Sequence, residues 1–173
     1  MFSKIIKNQK GFTLVETTVT VFVFSVLMII VGALYIDSLN MQRRAFNYQQ
    51  SEENANVVLE SMAKEIRVSQ VSGPDTACPG APATSLNITH PTNGVIRYYL
   101  SGTAIHRVVG GQDTIISSNT VQFTRLQFCV TGSSAGDFLQ PRVTILTSVK
   151  TPSALQQTKV DIQTTISQRF LND

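Results

Sequence analysis

The sequence predicts an α+β fold in which one long N-terminal α-helix packs on an antiparallel β-sheet head. Residues 12–36 form a run of 25 residues that is apolar except for one charge. Helix-forming residues then continue over residues 37–71 without proline or glycine. Short Thr-, Ser- and Val-rich runs, separated by turn residues, fill residues 72–173. A chain of 173 residues is long enough for one such domain and one membrane segment.

The N-terminal segment, residues 1–11, is short and basic, and all three of its lysines precede Gly11. As a helix, residues 12–36 would be about 37 Å long, enough to cross a bilayer core of about 30 Å. Lysines on the N-terminal side of an apolar helix place that end in the cytoplasm. We therefore expect a single-pass protein of the cytoplasmic membrane, with its C-terminal head outside.

Glu16 is the one charged residue in the apolar run. A carboxylate at the centre of a membrane helix costs about 2.5–3.5 kcal/mol, and less near the interface. No Lys, Arg or His lies one helical turn away within the run, so the helix itself supplies no partner. The cation that pairs with Glu16 must therefore come from another molecule.

Residues 11–16, with the sequence Gly-Phe-Thr-Leu-Val-Glu behind a lysine-bearing leader, resemble the type III signal of type IV prepilins and pseudopilins. The resemblance implies that prepilin peptidase cuts between Gly11 and Phe12 and that Phe12 is then N-methylated. It also implies that Glu16 pairs with the terminal amine of a neighbouring subunit during assembly. That amine would supply the missing cation, and the attraction is strong in a low-dielectric environment.

The resemblance implies a structural subunit, without enzymatic activity, of a type IV pilus or a type II secretion-like pseudopilus. Its partners would be other pilin or pseudopilin subunits, prepilin peptidase, an inner-membrane assembly platform and, before assembly, membrane lipid. The final location would be a cell-surface or periplasmic filament. The domain organisation that follows is a leader at 1–11, a transmembrane or filament-core half-helix at 12–36, an amphipathic half-helix at 37–71 and a head at 72–173.

Two other interpretations of the N-terminus stay open. A secretory signal peptide could be cut after the small residues of 31–33, which would leave Leu34 as the new N-terminus. A plain signal anchor could carry a β-domain that never polymerises and that has an adhesive or ligand-binding role. The glutamate near the start of the apolar run argues against the signal peptide.

The helix is predicted to extend from Thr13 to Val71 and to end before the Gly73-Pro74 pair. A 4-3-4 spacing of apolar residues within it predicts one stripe that faces the sheet, formed by Ala55, Leu59, Met62 and Ile66. The charged residues around that stripe are predicted to be a solvated face with weak ion pairs; they are Glu52, Glu53, Glu60, Lys64, Glu65 and Arg67.

The head is predicted to contain consecutive short strands in one antiparallel sheet. A Gly-Gly-Gln-Asp sequence at 110–113 is interpreted as a turn, and the alternation of apolar residues slips near Arg125. The predicted strands are Ser85–His90, Val95–Leu100, Thr103–Val109, Thr120–Val130, Arg142–Lys150 and Thr158–Phe170.

The head also resembles, more weakly, the J-type minor pseudopilins and related minor pilins. This resemblance implies a minor subunit, with a major pilin as the competing interpretation. It is carried by residues 96–100 with Arg107, by 126–128, by 141–143 and by the closing run 163–167.

The two cysteines, Cys78 and Cys129, are 51 residues apart and lack the spacing of a zinc site. In an exported domain they either form a disulfide between the loop after the helix and a later strand, or remain free thiols. The sequence leaves both possibilities open, because a bridge requires the two side chains to meet.

No catalytic, metal or cofactor site is predicted. His90 and His106 have no metal-binding partner at a motif spacing, and no acid is placed in sequence to orient either histidine. Asp75, Asp113 and Asp137 are interpreted as isolated loop residues, which argues against calcium binding.

The net charge of +3 does not indicate a nucleic-acid partner. Three of the 14 basic residues precede Gly11, so the chain after Gly11 has 11 basic and 11 acidic side chains. The basic excess therefore belongs to the leader alone.

Overall fold

A computed structural model describes residues 11–71, 73–134, 139–152 and 159–169. The elements are one helix, α1 (Leu14–Val68), and eight strands: β1 (Gln70–Val71), β2 (Ser85–His90), β3 (Gly94–Ser101), β4 (Ala104–Val109), β5 (Gln112–Ile115), β6 (Gln122–Thr131), β7 (Arg142–Lys150) and β8 (Lys159–Ser167). The chain divides into two compact units between Arg43 and Arg44. One long helix with antiparallel strands confirms the predicted α+β fold, an arrangement consistent with the pilin fold.

In the first unit, every residue from Gly11 to Leu39 is exposed. A window of 18 residues in α1 reaches a mean hydropathy of 2.7, so the helix is long and apolar enough to cross a membrane. Exposing such a surface to water is unfavourable, because apolar side chains order or exclude the water around them. This part of α1 therefore requires lipid or another protein chain around it.

In the second unit, α1 buries the predicted stripe. Ala55, Leu59, Met62 and Ile66 are at most 5% exposed, and Val58 extends the stripe by one position. They join one apolar cluster with inward-facing strand residues such as Tyr98 and the rings of Phe123 and Phe128. Burying an aliphatic side chain of this size contributes about 1.5–3 kcal/mol, so this stripe dominates the packing of the helix on the strands.

The strands form two antiparallel sheets, where one was predicted: β1-β2-β3-β4-β5 and β6-β7-β8. The edge of β6 that does not pair with β7 is covered by the segment after the helix, which bonds to it. Ala83 exchanges two backbone hydrogen bonds of 2.8 Å with Phe128, and the Thr76 amide donates to the Val130 carbonyl at 2.9 Å. A β-bulge between Phe123 and Arg125 explains the slip in the alternation of β6.

Several predicted boundaries were wrong by one to three residues, and two of these errors concern the identity of an element. α1 ends at Val68 rather than Val71, because Gln70 and Val71 pair with Thr89 and Ile88 as strand β1. The predicted turn at 110–113 is a tight turn at Gly110 and Gly111 only, after which β5 begins. Both glycines have positive φ (57° and 85°), as a two-residue hairpin turn requires. All four residues of β5 are exposed, so no apolar pattern marked this strand.

The disulfide between Cys78 and Cys129 is formed, with a Cα–Cα distance of 5.9 Å. It links the loop after α1 to β6. Closing a loop of this length contributes about 4 kcal/mol in the chain-entropy model. Asp75 holds the same loop to the end of β6, since its carboxylate accepts hydrogen bonds from the Ser133 and Gly132 amides at 2.7 and 2.9 Å. These amide donors hold the pKa of Asp75 below its ordinary value.

Glu65 belongs to a contact between α1 and the five-stranded sheet, and its assignment to the solvated face was wrong. Arg107 of β4 donates to both carboxylate oxygens of Glu65, from Nε at 3.0 Å and from an Nη at 2.7 Å. The Tyr98 hydroxyl of β3 donates to the same carboxylate. The two charged side chains are 21% and 23% exposed, so water screens their attraction only partly.

Titration of Glu65 is therefore linked to folding. Burial alone would raise the pKa of Glu65, but the hydrogen bonds from Arg107 and Tyr98 outweigh burial and hold the pKa below its ordinary value of 4.5. The unfolded chain then binds a proton at a higher pH than the folded chain does. The stability that Glu65 contributes is complete above its unfolded pKa and is lost as the pH falls through its folded pKa.

We predict that Glu65→Gln lowers the free energy of unfolding by about 1–2 kcal/mol at neutral pH, because a charge-assisted pair is lost. The variant should also lose part of the acid dependence of stability below pH 4.5. Denaturant titrations of the full chain in detergent micelles, followed by near-UV circular dichroism, measure both effects.

Glu60→Gln is the matched control, since Glu60 pairs with Lys64 at 2.9 Å on the exposed side of the same helix. That exposed pair should contribute little to stability, because water and salt screen its attraction. Equal losses in the two variants would contradict the assigned role of Glu65.

Candidate functional site

The candidate site is the N-terminal signal, residues 11–16. Gly11, Phe12 and Thr13 precede the helix and have no regular secondary structure. Phe12 is 78% exposed. A Cβ added to Gly11 would meet no other atom within 4 Å. The Gly11–Phe12 peptide bond therefore lies in an open, non-helical segment, where an enzyme can reach its backbone.

Thr13 is the N-cap of α1, a role that the sequence analysis missed. Its Oγ1 accepts a hydrogen bond from the Glu16 amide at 3.2 Å, which satisfies one of the unpaired donors at the helix start. The Thr-Leu-Val-Glu order of 13–16 is the capping-box pattern, and this pattern could have revealed the cap. The cap fixes where the helix begins, and so leaves residues 11–12 outside it.

The threonine and serine hydroxyls in the apolar half of α1 are satisfied within the helix itself. Thr17 and Thr18 donate to the Leu14 carbonyl at 2.8 and 2.9 Å. Thr20 donates to the Glu16 carbonyl at 2.6 Å, and Ser25 to the Val21 carbonyl at 2.8 Å. Internal bonds of this kind let polar side chains enter lipid or a protein interior at low cost.

Glu16 lies in the first turn of α1 and is exposed. No cation pairs with it among the residues that the structure describes. The partial positive charge of the helix N-terminus favours a carboxylate in this turn. A formal cation from outside the described chain is still needed to neutralise it in a membrane or a protein interior.

The histidines and aspartates that the sequence analysis considered belong to the head. The Nδ1 of His90 accepts hydrogen bonds from the Thr92 and Asn93 amides in the β2–β3 turn, at 3.1 and 3.2 Å. Asp75 binds the end of β6, as described above. Asp137 lies outside the described residues. Within the described ranges, no group of three His, Cys, Asp or Glu side chains could hold a metal ion.

Asp113 lies in strand β5 rather than in a loop, and it does orient a histidine, contrary to the sequence analysis. Its two oxygens lie 2.9 Å from His106 Nδ1 and 2.7 Å from the Tyr99 hydroxyl, which donates. Adjacent strands bring the three together, since Tyr99 pairs with His106 in the register of β3 and β4. These bonds, the one from Tyr99 first, hold the pKa of Asp113 below its ordinary value.

The comparison with known proteins concerns the N-terminus. Residues 6–32 match the family model described as the prokaryotic N-terminal methylation motif. This motif is the type IV prepilin and pseudopilin signal, so the resemblance drawn from residues 11–16 is confirmed. No curated protein and no solved structure shows significant similarity to the chain.

We predict that Thr13→Val speeds hydrogen exchange at the Glu16 amide by about fivefold, because loss of an N-cap costs about 1 kcal/mol. Hydrogen–deuterium exchange of the full chain in detergent micelles measures it. Thr13→Ser, which keeps the hydroxyl, is the control and should exchange at the wild-type rate. Identical rates in the valine variant and the wild type would contradict the cap.

Proposed function

Because residues 6–32 carry the signal of type IV prepilins and pseudopilins, we propose that the chain is a structural subunit of a pilus or pseudopilus. The motif implies processing by prepilin peptidase and assembly with other pilins. In this proposal the chain is cut after Gly11, methylated at Phe12 and held in the membrane by residues 12–36. It then enters a filament at the cell surface or in the periplasm, and it has no enzymatic activity of its own.

The observation that carries the proposal is the combination of an open Gly11–Phe12 bond with an unpaired Glu16 one helical turn later. Among the described residues nothing requires glycine at position 11, since a Cβ there would meet no neighbour within 4 Å. A peptidase that approaches the backbone closely does require it. Cleavage at this bond creates an amine on Phe12, and the same amine on a neighbouring subunit is the cation that Glu16 lacks.

The apolar surface of α1 supports the same conclusion. Residues from Gly11 to Leu39 are exposed over the full circumference of the helix. Such a helix is stable in lipid before assembly and against other apolar helices afterwards, where the apolar surface is covered in both states.

Within this proposal the chain is a minor subunit rather than a major one. The support is the weak resemblance of the head to J-type minor pseudopilins, at residues 96–100 and 126–128 among others. The structure adds that Tyr98 of the first of these runs binds Glu65 of the helix, and that Leu126 and Phe128 of the second are buried. These residues hold the head together, so the resemblance concerns the packing of the fold.

We predict that the mature chain begins with N-methylated Phe12, measured by mass spectrometry of the intact protein from its native membrane. Gly11→Val should leave the precursor uncut, because a branched side chain would block the approach of the peptidase. Gly32→Val is the matched control in the same apolar segment, where a Cβ also meets no neighbour, and it should be processed normally. A mature N-terminus at Leu34, or an intact Met1, would refute the processing step.

We predict that Glu16→Val is cleaved normally but is recovered in sheared filaments at a level at least about tenfold below wild type, because the terminal amine of a neighbour then stays unpaired. Thr20→Val, one turn further along α1, is the control and should assemble normally. Normal incorporation of the Glu16 variant would remove the carboxylate from the assembly mechanism while leaving the processing step intact.

A further inference from the structure

The outer face of the five-stranded sheet, opposite the buried core, carries a shallow cleft that the proposed function does not use. It lies where the β2–β3 and β4–β5 hairpins turn, and glycines of both turns form part of its rim. The side chains that line it are Asn87, Asn93, Val95, Arg97 and Val108. None of the lining residues is acidic or aromatic, and Arg97 is the one charged residue among them.

The guanidinium of Arg97 contacts an aromatic ring that does not neutralise its charge. Its guanidinium carbon lies 5.2 Å from the centre of the Tyr99 ring. That ring is itself fixed, since it stacks on His106 at 5.1 Å and its hydroxyl donates to Asp113. Among the described residues, no carboxylate and no hydrogen-bond acceptor engages the guanidinium. Arg97 therefore presents a planar set of N–H donors to solvent.

The rest of the lining completes a mixed polar and apolar surface. The side-chain amides of Asn87 and Asn93 have no hydrogen-bond partner among the described residues, so each can donate and accept a bond. Val95 is 63% exposed and faces the same cleft as Val108. A ligand that fits would carry an anion, groups that bond to amides, and an aliphatic part.

We propose that this cleft binds an acidic peptide segment of a partner protein, with an Asp or Glu carboxylate of that segment on Arg97. One guanidinium without a second cation matches the single charge of a carboxylate, whereas a phosphate would call for more positive charge. The two asparagines match the amides of a peptide backbone, and the valines match aliphatic side chains. An acidic sugar fits less well, because the lining offers no aromatic ring on which a sugar can stack.

The inference concerns the outer face of the sheet and is independent of the N-terminal signal. If the head does not bind acidic peptide, the proposed processing and assembly are unaffected. Failed cleavage at Gly11 would likewise leave the cleft intact.

The test is an NMR titration of the full chain in detergent micelles with a blocked peptide of sequence Gly-Glu-Val-Glu-Gly. The reference ligand is the neutral peptide Gly-Gln-Val-Gln-Gly, which has the same shape. We expect the acidic peptide to shift the amide signals of Val95, Gly110 and Gly111 and to bind about threefold more tightly than the neutral one, as an exposed ion pair allows. Its affinity should fall as salt is added.

Variants of the cleft decide whether Arg97 is responsible. Arg97→Gln should abolish the preference for the acidic peptide, whereas Arg142→Gln, at an exposed arginine on β7, should keep it. Val95→Glu provides a second, independent variant, since it leaves the contact between Arg97 and Tyr99 in place and adds a carboxylate beside the guanidinium. It should lower the affinity for the acidic peptide to that for the neutral peptide or below.

Three results would overturn the proposal. One is equal binding of the acidic and neutral peptides. Another is a preference for the acidic peptide that survives both Arg97→Gln and Val95→Glu. The third is tighter binding of a galacturonic acid oligomer than of the acidic peptide, which would assign the cleft to an acidic glycan.

Discussion

The burial of one apolar stripe of α1 against the strands is the contact on which the whole second unit depends. Ala55, Met62 and Ile66 are completely buried there, and the inward-facing side chains of both sheets belong to the same cluster. The helix therefore packs against the apolar side chains of both small sheets. Without the helix, each sheet would expose part of its core.

Hydrogen bonds and ion pairs then fix the position of the strands along the helix. The hydrophobic effect sets which faces are buried, but it is nearly insensitive to small sliding of a helix along a sheet. The bidentate bond from Arg107 to Glu65, with Tyr98 on the same carboxylate, joins one helix position to two adjacent strands. The disulfide and Asp75 fasten the following loop to β6, where that loop occupies the edge that would otherwise pair with another strand.

The N-terminal unit obeys a different constraint, because its solvent is lipid or protein rather than water. Each hydroxyl between Thr17 and Ser25 bonds to a helix carbonyl, so these residues add no unsatisfied group to the apolar run. The charge of Glu16 has no ion-pair partner among the described residues. A single unpaired charge in an apolar helix indicates an interaction with another molecule. The methylation motif in residues 6–32 places this charge within the signal of type IV prepilins and pseudopilins.

The sequence by itself determined the features that depend on local order along the chain. The long helix, its buried stripe, six of the strands and the signal at Gly11, Phe12 and Glu16 follow from periodicity, from turn residues and from a motif of neighbouring residues. The N-cap at Thr13 was equally local and could have been derived from the same pattern. These features depend on residues that are close together in the sequence, so they can be predicted from the sequence alone.

Only the tertiary structure decided which distant residues meet. In the sequence, Glu65 is indistinguishable from a charged residue of the helix surface. Its partial burial follows from its bonds to Arg107 and Tyr98, which lie more than 30 residues further along the chain. In the folded chain the segment of Thr76 and Ala83 bonds to the edge of β6, and β5 exists only through its pairing with β4. The exposed face of Arg97, Tyr99, His106 and Asp113 likewise arises from strand register. Long-range pairings of this kind leave no pattern in the local sequence, because their energy appears only once the chain has folded.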